Sequence, residues 1–263
     1  MGQVIKPYHI KNFKKNGYIL FKNLINKKDI STIKQNLKTM AKEQNNGRGL
    51  AEPGVKKSLI HSLHKSRSLK KVVETKQWFN HIPMKLLNTK KIFVWNAKSN
   101  LKRKFHGSCE YYHQDFIYWK DFGFKSDNML NCMIFVDDHS HLNGGLWVFP
   151  KSHLKLFKHE SFLNINSLQK YHVPINILEK LNKKNPAIPI EAKAGSVLFF
   201  HSRLIHGSAH NISSKERRIL LYDISSSENI IDQKNKKISS FNRKERIKFE
   251  KSVLIRRLKS LSV

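Results

Sequence analysis

The spacing of apolar positions along the chain changes near residue 90. Before this point apolar residues recur at three- and four-residue steps, as from Ile30 to Met40, and Asp29 is a candidate cap for that helix. The exception is Tyr18–Phe21, where a short apolar run predicts a strand. Residues 1–90 are therefore expected to form a mainly helical layer.

Between Lys91 and Ile224 the pattern changes to short β-type runs separated by turn signals. Asn143-Gly144 predicts a hairpin turn, because both residues tolerate positive φ. Several short strands without alternating helices predict an α+β protein, in which a sandwich or barrel is covered by helices on one face. The predicted strands are IFVWNAK, MLNCMIFVDD, GGLWVFP, SVLFFHS and RRILLYDI.

The length is compatible with one domain, which we place at residues 1–231 with its β-core at 91–231. Residues 154–193 interrupt the strands and contain a predicted helix near Ile175 to Leu181. This insertion is either a lid over a pocket or an ordinary surface segment.

A basic extension follows at residues 232–263, where apolar residues such as Leu254 and Leu258 share one helical face. Such a helix is expected to pack on its own domain or on a second subunit, so a homodimer is one possible assembly. A membrane or nucleic-acid surface is the alternative partner for this helix.

The formal net charge of +31 raises the question of a nucleic-acid partner. A nucleic-acid-binding or nucleic-acid-modifying enzyme is therefore kept as the alternative function. The lysines, however, are spread through every segment together with many Asn and Ile residues, which is typical of a compositional bias rather than of a binding footprint. Nucleic acid is thus the less favoured partner.

Cys109 and Cys132 form neither a disulfide framework nor a zinc-ribbon spacing, which indicates a reducing compartment. The first residues lack the apolar run of a signal peptide, and no stretch of the chain has about eighteen consecutive apolar residues. We therefore expect a cytoplasmic protein without a membrane span.

His113 and Asp115 are two residues apart, so on an extended segment both side chains leave the same face. His206 follows the run SVLFF and precedes Gly207, whose freedom in φ suits a turn. Two histidines and one carboxylate form the facial triad of non-haem iron oxygenases, which leaves coordination positions open. The same ligands could also hold zinc in a hydrolase.

Arg217 favours the oxygenase over the hydrolase. It lies eleven residues after His206 at the start of an apolar run, so a short loop would return it beside His206. There its guanidinium could bind the far carboxylate of 2-oxoglutarate in a bidentate manner. Arg218 would point to the opposite face of the strand. The predicted cofactors are iron(II), 2-oxoglutarate as co-substrate, and dioxygen.

With these residues in place, the chain resembles the phytanoyl-CoA dioxygenase (PhyH) family of iron(II)- and 2-oxoglutarate-dependent oxygenases over nearly its whole length. The segments FKKNGYILFKNLINKKDI, NGGLWVFPKSH and AGSVLFFHSRLIHGS are similar to its opening, central and distal motifs. Within the family, the pattern is most similar to that of the ectoine hydroxylases.

The resemblance implies a double-stranded β-helix core of the jelly-roll type. It also implies hydroxylation of a small metabolite, coupled to the conversion of 2-oxoglutarate to succinate and carbon dioxide. Further contacts to 2-oxoglutarate are implied for Asn100, Asn96 and Ser208.

The departures from the ectoine hydroxylases fall where the substrate should lie. Ile117 and Tyr118 replace an acidic and a hydroxyl side chain, so a substrate other than ectoine is expected. Lys98 and Lys120 indicate a substrate with an anionic group, unless both are solvated surface lysines. Trp119 either stacks on the substrate or lies in the core. The predicted substrate contacts are Trp119, Lys98, Lys120 and Tyr118.

Overall fold

The computed structural model describes residues 5–43, 59–61, 63, 66–107, 109–161 and 171–229, so the predicted extension at 232–263 lies outside the described residues. The helices are α1 (Pro7–Asn16), α2 (Lys27–Glu43), α3 (Arg67–Leu69, continued by a π-helix at Lys70–Glu74), α4 (Gln77–Leu86), α5 (Phe116–Asp121) and α6 (Ile175–Lys184), with a 3-10 turn at Ser152–Leu154. The strands are β1 (Tyr18–Phe21), β2 (Leu59–His61), β3 (Ile92–Lys102), β4 (Glu110–His113), β5 (Met129–Phe135), β6 (Leu146–Val148), β7 (Glu160–Ser161), β8 (Tyr171–His172), β9 (Ile188–Pro189), β10 (Val197–His201), β11 (His206–Ser208) and β12 (Arg217–Ser226).

Two antiparallel sheets form the core. The larger has the strand order β1-β10-β5-β12-β3-β2, and the smaller has the order β4-β11-β6-β9. Phe135 and Phe200 from the larger sheet pack in one apolar cluster with Leu146 and Val148 from the smaller. Because the inner faces of the two sheets enclose a common interior, the fold is the α+β sandwich that the strand pattern predicts, and it agrees with the double-stranded β-helix that the resemblance implies.

The N-terminal helices cover the outer face of the larger sheet. Alternate residues of β12 point to opposite faces, so Ile219 joins the interior while Leu220 and Tyr222 face the helices. There Tyr222 contacts Phe79 of α4 ring to edge, with the ring centroids 5.0 Å apart. The prediction of helices packed on one face is thus confirmed, and it leaves the other face of the sheet for the site.

Three local expectations are corrected. Helix α2 is capped by Asn26 rather than by Asp29, since the Asn26 Oδ1 accepts a hydrogen bond from the Asp29 N–H at 2.8 Å. Strand β2 lies in the part expected to be helical, and it forms through pairing with β3. Asn143-Gly144 does not form a hairpin, because β5 and β6 belong to different sheets and only Gly144 has positive φ.

The predicted helix in the insertion is confirmed as α6, which packs through Ile177, Leu178 and Leu181 against Phe149 and its neighbours. None of the described helices has the length and apolar character needed to cross a bilayer. Whether the insertion acts as a lid remains a prediction.

Candidate metal centre

His113, Asp115 and His206 come together where the two strands β4 and β11 meet. His206 lies directly opposite His113 in this antiparallel pair. The Asp115 Oδ1 lies 3.4 Å from the His113 Nε2, and its Oδ2 lies 3.6 Å from the His206 Nε2. Two bonds of about 2.1 Å at right angles would place their ligand atoms about 3 Å apart. The three side chains can therefore share one face of an octahedral ion.

The backbone that presents Asp115 differs from the expectation. Strand β4 ends at His113, and Asp115 already has the helical φ of −62° at the start of α5. The carboxylate therefore reaches the histidines from a strand-to-helix turn, not from the same face of one extended segment. The turn forms because the N–H groups of Tyr118 and Trp119 bond to the Asp115 carbonyl.

Both histidines hold a fixed tautomer. The Nδ1 atoms lie 2.7 Å from the Tyr111 carbonyl oxygen for His113 and 2.9 Å from the Leu204 carbonyl oxygen for His206. A carbonyl can only accept, so each Nδ1 carries the proton and donates it. The lone pair of each Nε2 is left for a metal ion, as in histidine ligands generally.

The electrostatics of the three side chains favour a charged Asp115. Burial alone would raise its pKa, but the charge of His206 and the contact with His113 hold it well below the usual range. Burial lowers the pKa of His206 to about 4, against the opposing charge of Asp115. Burial also opposes protonation of His113, yet the contact with Asp115 raises its pKa overall. A neutral His206 beside an ionised carboxylate is the state that a metal ion requires.

Asn131 of β5 orients the carboxylate of Asp115. Its Nδ2 donates a hydrogen bond of 2.7 Å to the Asp115 Oδ2, and the Asn131 side chain is fully buried. Partners of this kind, one shell beyond the metal ligands, fix the direction of the ligand and its basicity.

Replacing Asn131 with alanine should weaken metal binding by roughly 10- to 100-fold, because the Asp115 carboxylate loses its only side-chain donor among the described residues outside the triad. Metal affinity can be measured by competition with a chelator. Asn229→Ala is the matched control, since Asn229 is also buried but bonds to Ser126 and Ser225. An equal loss of metal affinity in both variants would mean that the loss comes from reduced stability of the fold and not from the hydrogen bond to Asp115.

Gln114 lies between His113 and Asp115, and its hydrogen bonds connect the turn between β4 and α5 to the insertion at residues 154–193. It is fully buried, and its Nε2 donates to the carbonyl oxygens of Lys155 (2.8 Å) and Arg203. Its Oε1 accepts from the Phe157 N–H at 2.8 Å, and its own backbone N–H donates to the His159 Nε2. The start of the insertion and the loop before His206 are thereby joined to the metal-binding turn.

Arg217 and Lys102 form a pair of buried cations on the interior face. They lie opposite each other in the β12–β3 ladder, and they are 3% and 2% exposed. Burial lowers the pKa of Arg217 to about 10, so it stays charged at neutral pH. Its Nε is buried and has no hydrogen-bond partner within the described part of the chain. Arg218 points outward and forms a bidentate ion pair with Asp137.

The three further residues implied for the co-substrate share this interior. Asn96 and Asn100 lie on the same face of β3 as Lys102, since they are an even number of residues away. The Asn96 Nδ2 donates to the Asp223 Oδ2 at 2.9 Å. The Ser208 Oγ accepts a hydrogen bond of 2.8 Å from the Lys102 Nζ. Ser208 and Lys102 thus connect the two sheets beside Arg217.

The four residues predicted to contact the substrate lie in different environments. Lys98 lies on the interior face of β3, and Tyr118 contacts the His113 ring edge-on with the centroids 5.9 Å apart. Trp119 is 5% exposed in a cluster with Phe116, which fits the core alternative and leaves little of its ring for a substrate. Lys120 is exposed on α5, as expected of a solvated lysine.

Three residues of this centre are absent from the sequence-based set: Lys102, Asn131 and Gln114. A signal existed for Lys102, because polar residues recur at every second position from Asn96 onward and extending the strand by four residues reaches it. Asn131 lies inside an apolar run without any local signal, and Gln114 is recognisable only from its partners in space.

Comparison with known proteins identifies the family of the chain. Residues 13–219 match the family model described as Phytanoyl-CoA dioxygenase (PhyH). The chain is 25% identical to the ectoine dioxygenase of Bordetella bronchiseptica, over 85% of this chain and 76% of that protein.

Solved structures of similar fold include EctD from S. alaskensis. Its form with 2-oxoglutarate and 5-hydroxyectoine has a TM-score of 0.73, covering 87% of this chain and 78% of the other. Its form with bound Fe has a TM-score of 0.74, covering 87% and 79%, and both share 19% identity with this chain. Because the family model covers most of the chain, the protein belongs to the phytanoyl-CoA dioxygenase (PhyH) family of iron- and 2-oxoglutarate-dependent oxygenases.

Proposed function

We propose that this oxygenase hydroxylates a small anionic metabolite. His113, Asp115 and His206 hold the iron(II), while Arg217 and Lys102 hold the far carboxylate of 2-oxoglutarate. The observation that carries the proposal is the position of these two buried cations, on the same interior as the triad and with the Arg217 Nε lacking a partner among the described residues. A buried guanidinium is costly unless an anion pairs with it.

The residues fit the chemistry of the cofactors. Bound iron(II) and 2-oxoglutarate supply the oxidising power that inserts one oxygen atom of dioxygen into a substrate C–H bond, with release of succinate and carbon dioxide. The triad leaves one face of the metal for the keto acid and dioxygen. Lys102 and Arg217 orient the far carboxylate, while Phe200 and Leu198 line the interior with apolar surface that excludes water. A zinc hydrolase has no need of this pair of cations.

The experiment that tests this proposal is an anaerobic titration of the purified protein with iron(II) and then 2-oxoglutarate. A visible metal-to-ligand charge-transfer band is the expected result, and it would justify a screen of small metabolites by succinate release. If metal-loaded protein gives no band and releases no succinate with any substrate, the proposal is wrong. The alternative of a nucleic-acid enzyme is not favoured, since the similar proteins reported above are named for a small metabolite.

The anionic character of the substrate is proposed from Lys98. Its side chain faces the interior opposite Leu221, and no hydrogen bond or ion pair joins it to another described residue. Its charge contributes to lowering the pKa of Asp115, which supports a position of the ammonium near the triad. A half-buried cation beside a metal site is stabilised when an anionic group binds next to it.

Lys98→Ala should raise KM for the substrate by roughly 10- to 100-fold, because one charge-assisted hydrogen bond is lost. Lys98→Arg should restore part of the affinity, and Lys120→Ala, which removes a solvated lysine, should behave as wild type. The Kd for 2-oxoglutarate, measured in parallel, should stay within a few-fold of wild type. An unchanged KM in Lys98→Ala would remove Lys98 from the substrate site.

A further inference from the structure

Glu110 lies beside the two cations proposed to hold 2-oxoglutarate. It is the partner of Ser208 in the β4–β11 ladder, and cross-strand partners point to the same face of a sheet. The Ser208 Oγ is bonded to the Lys102 Nζ, and Lys102 is in turn the partner of Arg217 in the β3–β12 ladder. We call Glu110, Lys102, Ser208 and Arg217 the carboxylate corner, because they converge there from both sheets.

Glu110 interacts electrostatically with these cations, although no hydrogen bond or ion pair between them is found among the described residues. Its negative charge raises the pKa of Arg217, and the positive charges of Lys102 and Lys98 act on Glu110 in return. Burial raises the pKa of the Glu110 carboxyl, against the opposing charge of His113. No hydrogen bond or ion pair joins this carboxylate to any other residue that the structure describes. Glu110 is thus an acid without a fixed partner among the described residues, beside two buried cations.

The far carboxylate of 2-oxoglutarate, bound by Lys102 and Arg217, would lie next to the carboxylate of Glu110. The far carboxylate of 2-oxoglutarate carries the same charge as Glu110 and needs the same donors. Like charges a few ångströms apart in a partly buried site repel strongly, because the effective dielectric there is far below that of water. Both carboxylates cannot use Lys102 and Arg217 fully at the same time.

We infer that Glu110 competes with the far carboxylate of 2-oxoglutarate for Lys102 and Arg217, and so sets the affinity of the enzyme for its co-substrate. This inference rests on the proposed function of the two cations. Glu110 thereby raises the concentration of 2-oxoglutarate at half-saturation. Turnover then follows the supply of 2-oxoglutarate over a range in which an enzyme without this acid would already be saturated.

The test is the change Glu110→Gln, which keeps the shape of the side chain and removes its charge. The Kd for 2-oxoglutarate is measured anaerobically from the charge-transfer band, and by calorimetry with manganese in place of iron. We expect a Kd about tenfold lower than that of wild type. Glu179→Gln is the matched control, since it removes one negative charge from an exposed position on α6 and should leave the Kd unchanged.

A second ligand identifies the group that Glu110 opposes. 2-Oxopentanoate has the same carbon chain and keto acid as 2-oxoglutarate but lacks the far carboxylate. Its affinity should be equal in wild type and Glu110→Gln, because the repulsion involves only the missing group. Equal gains for both ligands would overturn the inference, since they would place the effect at the metal.

The outcomes separate this inference from the proposed function. An unchanged or higher Kd in Glu110→Gln would overturn it, and a higher value would mean that Glu110 orients the cations. Glu110→Ala provides the same comparison if the glutamine variant does not fold, as judged from its melting temperature. Failure of wild type to bind 2-oxoglutarate would instead remove the proposed function itself.

Discussion

Replacing His206 with alanine is expected to abolish metal binding at micromolar iron(II) and to reduce turnover to background. The remaining His113 and Asp115 would offer only two ligand atoms, and a two-ligand site loses both affinity and the facial geometry that keeps coordination positions open. Since the His206 Nδ1 already donates to the Leu204 carbonyl, only its Nε2 is available to the ion. Metal content after dialysis and the charge-transfer band both measure the effect.

The control for this variant is His210→Ala, four residues further along the chain. His210 is exposed and contacts the Gly107 carbonyl through its Nδ1, so its loss should leave the metal content unchanged. Binding of one equivalent of iron(II) by His206→Ala, with an undiminished band, would show that the triad is not the metal centre.

Arg217→Ala is expected to raise the Kd for 2-oxoglutarate by at least about 100-fold, because two charge-assisted hydrogen bonds to one carboxylate are worth roughly 3 kcal/mol or more together. Metal binding should be retained, since Arg217 lies on the larger sheet and the two histidines on the smaller. Titration of the iron-loaded variant with 2-oxoglutarate measures the loss directly.

Arg218→Ala is the neighbouring control for this prediction. Arg218 forms a partly buried ion pair with Asp137 on the helix-covered face of the larger sheet, so its removal should cost some stability without changing the Kd for 2-oxoglutarate. Equal effects of the two arginine variants on the Kd would contradict the assignment of Arg217 to the co-substrate site on the interior face.

The parts of the fold that sequence alone predicts are those with strong local periodicity. The strand Tyr18–Phe21 and the helix starting at Ile175 follow directly from the spacing of apolar residues. The opposite directions of Arg217 and Arg218 follow from the two-residue repeat of a strand. Strand β2 and the three-residue strand β11 have no such pattern, because pairing with neighbouring strands creates them.

The residues of the candidate site likewise fall into those that a local sequence pattern predicts and those that only contacts in space bring together. His113, Asp115, His206 and Arg217 stand out through their combination, because two histidines and a carboxylate match a facial triad and an arginine follows His206 at an informative spacing. The contact of Asn131 with Asp115 joins residues sixteen positions apart on different elements, and no local pattern encodes such a pairing. Trp119 illustrates the converse, since its position in the sequence is close to the triad but its side chain packs into an apolar cluster.

The hydrogen bonds of Gln114 have a consequence for protein engineering. One amide connects the metal-binding turn to Lys155 and Phe157, where the insertion begins. Exchanging the insertion for that of a relative, in order to alter which compound is accepted, would therefore also alter the support of the turn between His113 and Asp115. A chimera of this kind needs residue 114 and the first residues of the transplanted segment to come from the same parent.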